Sequence, residues 1–231
     1  MLAVSNLNQY YGESHTLWDV ELEISEGNCT CLMGRNGMGK TTLLKSVMGL
    51  LPVKSGAIEF DGENIASLPP DKRAHIGIGY VPQGREIFAQ LTVEENLQIG
   101  LQARKDNKKV IPERIYELFP VLKDMLKRRG GDLSGGQQQQ LAIGRALVIE
   151  PKLLILDEPC EGIQPNIVHQ IGDVILKLNQ EENLTVLLVE QKLPFARRVG
   201  KDFVIMNNGR SVANGKMEEL REDLIKQHLT V

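Results

Sequence analysis

The chain has few cysteines, three in 231 residues, at positions 29, 31 and 160. Three thiols cannot close the multi-bridge frameworks of small secreted domains, so that class is excluded. Cys29 and Cys31 alternate along an expected strand and share one side of it. No clustered Cys or His ligand accompanies them, so buried structural thiols are expected rather than a metal pair. Long apolar runs are lacking as well; none approaches the ~18 residues needed to span a bilayer. Met1-Leu2-Ala3-Val4-Ser5-Asn6 has neither the basic region nor the apolar stretch of a secretory leader. A cytosolic location is expected, with any membrane role exercised through partners. An excess of basic charge is the third absence. The 27 Lys and Arg against 30 Asp and Glu give a net charge of -3 and a pI ≈ 5.9. That balance argues against broad nucleic-acid binding.

What is present is an ordinary globular composition, 42% hydrophobic and 25% charged, in a chain long enough for one large or two small domains. One stretch organises it. Gly34-Arg35-Asn36-Gly37-Met38-Gly39-Lys40-Thr41-Thr42 fits G-x-x-x-x-G-K-[ST], a phosphate-binding loop between a buried strand and a helix. The apolar and β-branched run Cys29–Met33 precedes it. A helix from Thr41 to Met48 follows, with Leu43, Leu44, Val47 and Met48 on one side. Glycines let backbone amides close around phosphate oxygens, and the helix N-terminus adds its dipole. Lys40 reaches the β- and γ-phosphates in such a loop, and the Thr41 hydroxyl holds Mg²⁺.

Upstream, strands are expected at Leu2 to Tyr10 and Leu17 to Ile24, around a loop near Gly12. Tyr10 and Tyr11 stand at that break, open to a base-stacking or a packing role. Downstream, Ser55 to Phe60 with Asp61-Gly62 reads as a hairpin, Pro69-Pro70 opens a short basic helix, and Ile76 to Val81 is a strand. From Thr92 to about Arg129 the pattern turns helical, with a capping box at Thr92 and Glu95 and a charged linker at Lys105–Lys109. Ser134-Gly135-Gly136 opens a helix from Gln137 to Ile149, a second glycine-rich anion device or simply a well-capped helix. Leu153–Leu156 reads as a buried parallel strand ending in Asp157-Glu158. Adjacent acids at a buried strand end repel each other, and a bound cation relieves that repulsion. An amphipathic helix at Pro165–Asn179, a buried strand at Thr185–Val189, a hairpin at Phe203–Asn214 and a final helical region at about Met217–Leu229 complete the chain.

Four motifs in this order, the Gly34–Thr42 loop, Gln83, Leu133-Ser134-Gly135-Gly136-Gln137 and Leu153–Glu158, resemble those of the ATP-binding subunits of ABC transporters, over essentially the whole chain. The resemblance implies an α/β P-loop NTPase of ABC ATPase type: a mixed β-sheet core, an antiparallel β subdomain and a helical insertion. A single ATP-binding domain is implied over 1–231. Its core covers 1–88 and 150–231, and a helical subdomain at about 89–149 carries the signature loop. By the same resemblance Tyr11 stacks on adenine, Lys40 and the loop amides hold the phosphates, and Thr41, Gln83 and Asp157 hold Mg²⁺. Ser134 and Gly136 touch the γ-phosphate across a head-to-tail dimer, and Gly135 and Gln137 belong to the same nucleotide-binding signature. Glu158 is the general base.

Two residues depart from the family pattern. Gln191 stands where a histidine is common; it still donates a hydrogen bond but takes up no proton. Gln164 stands where aspartate is usual. Val81–Phe88 and Val189-Glu190-Gln191 are most similar to the ATPases of branched-chain amino acid and urea importers, and Asn8-Gln9-Tyr10-Tyr11-Gly12 leans toward the urea branch. The implied partners are transmembrane permease subunits, a second ATP-binding subunit like or unlike this one, and indirectly an external solute-binding protein. The implied place is the inner face of the cell membrane. Two alternatives remain within the same ATP chemistry: a nucleotide switch without transport, and the ATPase of a lipid or lipopolysaccharide exporter.

Overall fold

The computed structural model describes residues 1–229. Its strands divide by burial. β1 (Leu2–Tyr11), β2 (Ser14–Ile24) and β4 (Ser55–Phe60) mix buried and exposed residues, as a sheet with one wet face does, and the two residues of β5 (Glu63–Asn64) are exposed. They form an antiparallel sheet in the order β2-β1-β4-β5. β3 (Cys29–Met33), β7 (Leu153–Asp157) and β8 (Thr185–Val189) are buried at every position, the pattern of strands covered on both faces. With β6 (Ile78–Val81), β9 (Asp202–Asn207) and β10 (Arg210–Lys216) they make the second sheet, order β10-β9-β3-β8-β7-β6. It is parallel except for the β9–β10 hairpin. The hairpin turns on Asn208 (φ 46°) and Gly209 (φ 72°), the two positive φ values a type I′ turn requires.

The period of two sorts the parallel strands' side chains into two cores. Cys29, Cys31, Leu154, Leu156, Val186 and Leu188 face one side. They meet α6 (Gly135–Leu147), α7 (Pro165–Gln180) and α8 (Leu193–Val199). Leu32, Leu153, Ile155, Leu187 and Val189 face the other, against α1 (Lys40–Val47) and the antiparallel sheet. All three cysteines are buried free thiols, as expected.

Three expected elements differ. The strand near Ile76 begins at Ile78, because Ile76 caps α2 (Pro70–His75) and Gly77 turns the chain at φ 110°. α6 begins at Gly135 rather than Gln137, since Ser134 itself is the N-cap and its hydroxyl accepts the Gln137 amide. The helical stretch from Thr92 is broken. α3 (Val93–Gly100) has the expected Thr92/Glu95 capping box, but buried Arg104 ends it by donating to the Val148 carbonyl, Asp106 and Glu150. Pro120 then separates α4 (Arg114–Leu118) from α5 (Pro120–Asp124). α9 (Glu222–His228) is the last helix described.

Candidate functional site: the carboxyl ends of the parallel strands

The chain leaves β3, β6, β7 and β8 at one edge of the sheet, where open α/β folds bind ligands. After β3, the loop from Gly34 to Gly39 turns on Gly34, Gly37 and Gly39, all at positive φ. At Gly34 a Cβ would stand 2.4 Å from the Met206 carbonyl oxygen, so only glycine fits there. At Gly37 nothing lies within 4 Å, which leaves the rim of the loop open to a ligand. Gly39, in the left-handed region, caps α1, and no side chain satisfies its first amides. A glycine-lined concavity ending in bare helix amides suits a polyphosphate.

Lys40 curls over this loop. Its Nζ donates to the Gly34 and Arg35 carbonyls at 2.8 Å each. Burial lowers its pKa, and Glu158, Asp157 and Glu190 offset part of that fall. Asp157, at the end of β7, is 1% exposed. Neither of its carboxylate oxygens accepts a well-formed hydrogen bond. Burial raises its pKa to about 6; Glu158 adds to the rise, while the Thr41 hydroxyl, Lys40 and Lys45 oppose it. Among the described residues no group of three or more His, Cys, Asp and Glu is spaced to hold a metal. A cation held by Asp157 and Thr41 would take its remaining ligands from water or phosphate, as Mg²⁺ does beside nucleotides. The orphaned buried carboxylate fits that ion.

Glu158 leaves the strand at φ 50°, a left-handed backbone uncommon outside glycine, Asn and Asp. The kink turns its side chain between two glutamine amides. Gln191 Nε2 donates to Glu158 Oε1 and, at 2.6 Å, to Asn36 Oδ1 of the phosphate loop. Gln83 Nε2 donates to Glu158 Oε2 at 3.5 Å and to Glu161 Oε2 at 2.9 Å. Residues far apart in sequence thus form one line, Asn36–Gln191–Glu158–Gln83–Glu161. Glu190 anchors it from beneath: it is 3% exposed, and its Oε1 accepts the Gln191 and Lys192 amides at 3.1 Å each.

One member of that line, Glu161, and its anchor, Glu190, were not read from the sequence as site residues. Glu161 and Glu190 carry a faint signal, since each lies within three positions of Glu158 or Gln191, but what they touch is decided by the fold. The signature residues stand apart. Ser134 and Gln137 cap α6 reciprocally, and a Cβ on Gly136 would press on Ile167 of α7 at 2.9 Å. Among the described residues no hydrogen bond joins Ser134, Gly135, Gly136 or Gln137 to the phosphate loop of the same chain. Further along α6, Gln138 and Arg145 connect the helix to the Gln83 loop. Arg85 bridges Gln138 and the Glu161 carbonyl at 3.3 Å each, and Arg145 of α6 donates to the Arg85 and Glu86 carbonyls. Tyr11, 48% exposed, lies at the tip of the β1–β2 hairpin.

A glycine-lined phosphate cradle, a buried carboxylate beside the first helical threonine and a second carboxylate held by glutamines define a nucleoside triphosphatase. A family model described as ABC transporter matches residues 17–161, and the chain belongs to that family. It is similar to the "High-affinity branched-chain amino acid transport ATP-binding protein BraG" of Pseudomonas aeruginosa, 43% identical over 92% of this chain and 91% of that protein. It is equally similar, at 43%, to the "Probable branched-chain amino acid transport ATP-binding protein LivF" of Archaeoglobus fulgidus, over 96% of this chain and 94% of that one. Among solved structures it superposes on a nucleotide-free ATP-binding cassette with a TM-score of 0.82 at 31% identity, covering 98% and 94% of the two chains. A dimeric cassette in a post-hydrolysis state with ADP and Pi gives a TM-score of 0.84 at 26% identity, covering 95% and 100%. The protein is therefore an ATP-binding, ATP-hydrolysing subunit of an ABC importer. No helix among the described residues is long and apolar enough to cross a membrane.

Proposed function

We propose that this chain drives uptake of a small polar solute, a branched-chain amino acid or urea, as one half of a head-to-tail ATPase dimer beneath a transmembrane permease. The observation that carries the reading is the line from Asn36 to Glu161, which joins phosphate loop, acidic strand end and Gln83 loop in one circuit. The phosphates of ATP rest on the amides of Gly34 to Thr42, with Arg35, Asn36, Met38 and Gly39 shaping the loop. Lys40 turns from its two carbonyl partners to the β- and γ-oxygens. Tyr11 takes the adenine. Ser134, Gly135, Gly136 and Gln137 close on the γ-phosphate of the partner's nucleotide, using the N-terminus of α6. Thr41, Asp157 and Gln83 would hold Mg²⁺ directly or through water, with Gln83 freed from Glu161. Held by these residues, the ion would supply neutralisation of phosphate charge.

Glu158 accepts the proton of the attacking water. Gln191 and Gln83 fix its two oxygens, and Gln191 donates without titrating, so proton handling stays with Glu158.

Coupling runs through α6. Engagement of Ser134 by the opposite subunit's nucleotide moves this helix, and Arg145 and Gln138 carry the Arg85–Glu86 loop with it. In this reading residues 1–88 and 150–231 act as the core and about 89–149 as the moving helical part. Beside that loop lies a groove of about 680 Å³ lined by Leu50, Phe88, Ile99 and Arg145. Leu50, Phe88 and Ile99 are exposed there. A cytoplasmic segment of the permease docks in it, which holds the ATPase at the inner membrane face. The second ATP-binding subunit is a like or an unlike chain, and an external solute-binding protein delivers cargo to the permease. The named relatives support amino-acid cargo, and Asn8–Gly12 supports urea. The test is uptake of labelled leucine and labelled urea by cells with the chain, without it, and with its Glu158→Gln variant. Loss of one uptake in both altered strains is expected. If neither falls, with redundant transporters removed, the import reading fails and a switch or an exporter replaces it.

A further inference from the structure

On the β1–β2 hairpin, Tyr10 and Tyr11 are successive strand residues and point to opposite faces. Tyr11 shares its face with Gln9, whose partner Leu17 packs toward the phosphate loop; a Cβ on Gly39 would lie 3.0 Å from Leu17. The other face carries a stack that nothing in the hydrolytic machinery uses. The Tyr10 and His15 rings lie parallel, with centroids 4.0 Å apart at 9°. His15 stacks in turn on Trp18 at 3.5 Å and 30°, and the Arg210 guanidinium stands 5.3 Å from the Trp18 ring. His15 Nε2 lies 3.0 Å from Asn8 Oδ1, and Asn8 is itself held by Asp19.

The far end of this stack is anchored to the phosphate loop. The Trp18 amide donates to the Gly209 carbonyl at 2.8 Å, and the Gly209 amide donates to the Met38 carbonyl at 3.1 Å. A Cβ on Gly209 would come within 2.0 Å of the Thr16 carbonyl oxygen, so the β9–β10 turn is wedged between β2 and the phosphate loop. The near end is weak by itself. The β1–β2 ladder slips register between Leu7 and Gln9 and again between Gln9 and Tyr10. Only the pairs Tyr10–His15 and Tyr11–Ser14 lie beyond the slip, before the exposed turn at Gly12. His15 is the ring that connects Tyr10 to Trp18.

We propose that His15 is a positioning residue. Through the Tyr10–His15–Trp18 stack it fixes the Tyr11 ring relative to the phosphate loop, and so sets affinity for the base of the nucleotide but not for its phosphates. This rests on the reading that Tyr11 receives the adenine. The test compares equilibrium binding of ATP and of inorganic tripolyphosphate to the full chain and its variants. Trp18 is the protein's one tryptophan, so its emission reports on the stack directly.

His15→Ala is expected to weaken ATP binding about three- to tenfold, the scale of one or two lost aromatic contacts, with tripolyphosphate binding unchanged. His15→Phe restores stacking and ATP affinity to within about twofold of the starting protein. Trp18 emission shifts with ATP and not with tripolyphosphate. If His15→Ala does not fold, Trp18→Leu opens the other end of the stack and carries the same pair of expectations. Equal weakening of both ligands, or of neither, overturns the proposal. Tyr11→Ala separates the two readings. If it weakens ATP alone while His15→Ala does nothing, only the stack's role fails. If Tyr11→Ala leaves ATP binding intact, the adenine reading fails, and the proposal with it.

Discussion

Asp157 shows what the site costs at the scale of one residue. Its carboxyl is buried without a well-formed partner and titrates near 6, above the ordinary 3.8, chiefly through burial. The folded state therefore holds the neutral form more tightly than the unfolded chain does. That contribution to stability is complete below about pH 4 and is lost as pH rises through about 6. A rise of this size corresponds to roughly 2–3 kcal/mol. Asp157→Asn should raise the unfolding midpoint of the nucleotide-free protein at pH 7.5 and leave it nearly unchanged at pH 4; thermal melts at the two values decide it. The same variant loses the charge that attracts the cation, a stability–function exchange common at such sites. Glu158→Gln keeps the shape of the site and removes the proton acceptor. Phosphate release is expected to fall at least about 100-fold with ATP still bound, and near-normal turnover would remove Glu158 from the base role. Gln191→Ala cuts the link between Asn36 and Glu158. A drop in turnover of about tenfold is expected from the lost bond to a charged group, and steady-state hydrolysis at the original rate would show that Gln191 does not hold Glu158 for catalysis.

Among the elements, α1 depends on a residue that no local pattern singles out. Arg73, on α2, is 2% exposed. It donates to the Ser46 and Val47 carbonyls at the end of α1 and to the Leu68 and Ala66 carbonyls. It is thus a C-terminal cap supplied from another helix. Arg73→Met would take this donor from four carbonyls, among them the buried Val47 oxygen at the end of α1, and a loss of about 3 kcal/mol is expected in urea unfolding. An unchanged midpoint would mean that water replaces the guanidinium. The capping box of α3 was legible in the sequence because its partners, Thr92 and Glu95, lie within three residues. Arg73 was not, because its partners lie up to 27 residues away. The break after α3 was missed for the same reason: Arg104 reaches across to Val148 and Glu150, 44 and 46 residues on.

For the whole molecule, among the described residues the signature residues at the start of α6 make no hydrogen bond to their own phosphate loop, while Gln138 and Arg145 of α6 reach the Gln83 loop. In the proposed dimer, a second subunit's phosphate loop meets that helix end. Glu158→Gln with ATP should therefore double in mass by light scattering, while the same variant with ADP stays at the mass of one chain. A single mass under both conditions would rule out closure by ATP.

The sequence by itself determined the phosphate loop, the buried acidic strand end, the signature helix and the order of the elements. Each rests on spacing, capping and burial that act over a few residues. Only the tertiary structure decided which glutamine holds which carboxylate, that Glu161 restrains Gln83, and that an aromatic stack ties the Tyr11 turn to Met38. Those contacts join residues from separate strands and loops. Sheet order and loop closure set them, and no local pattern records either.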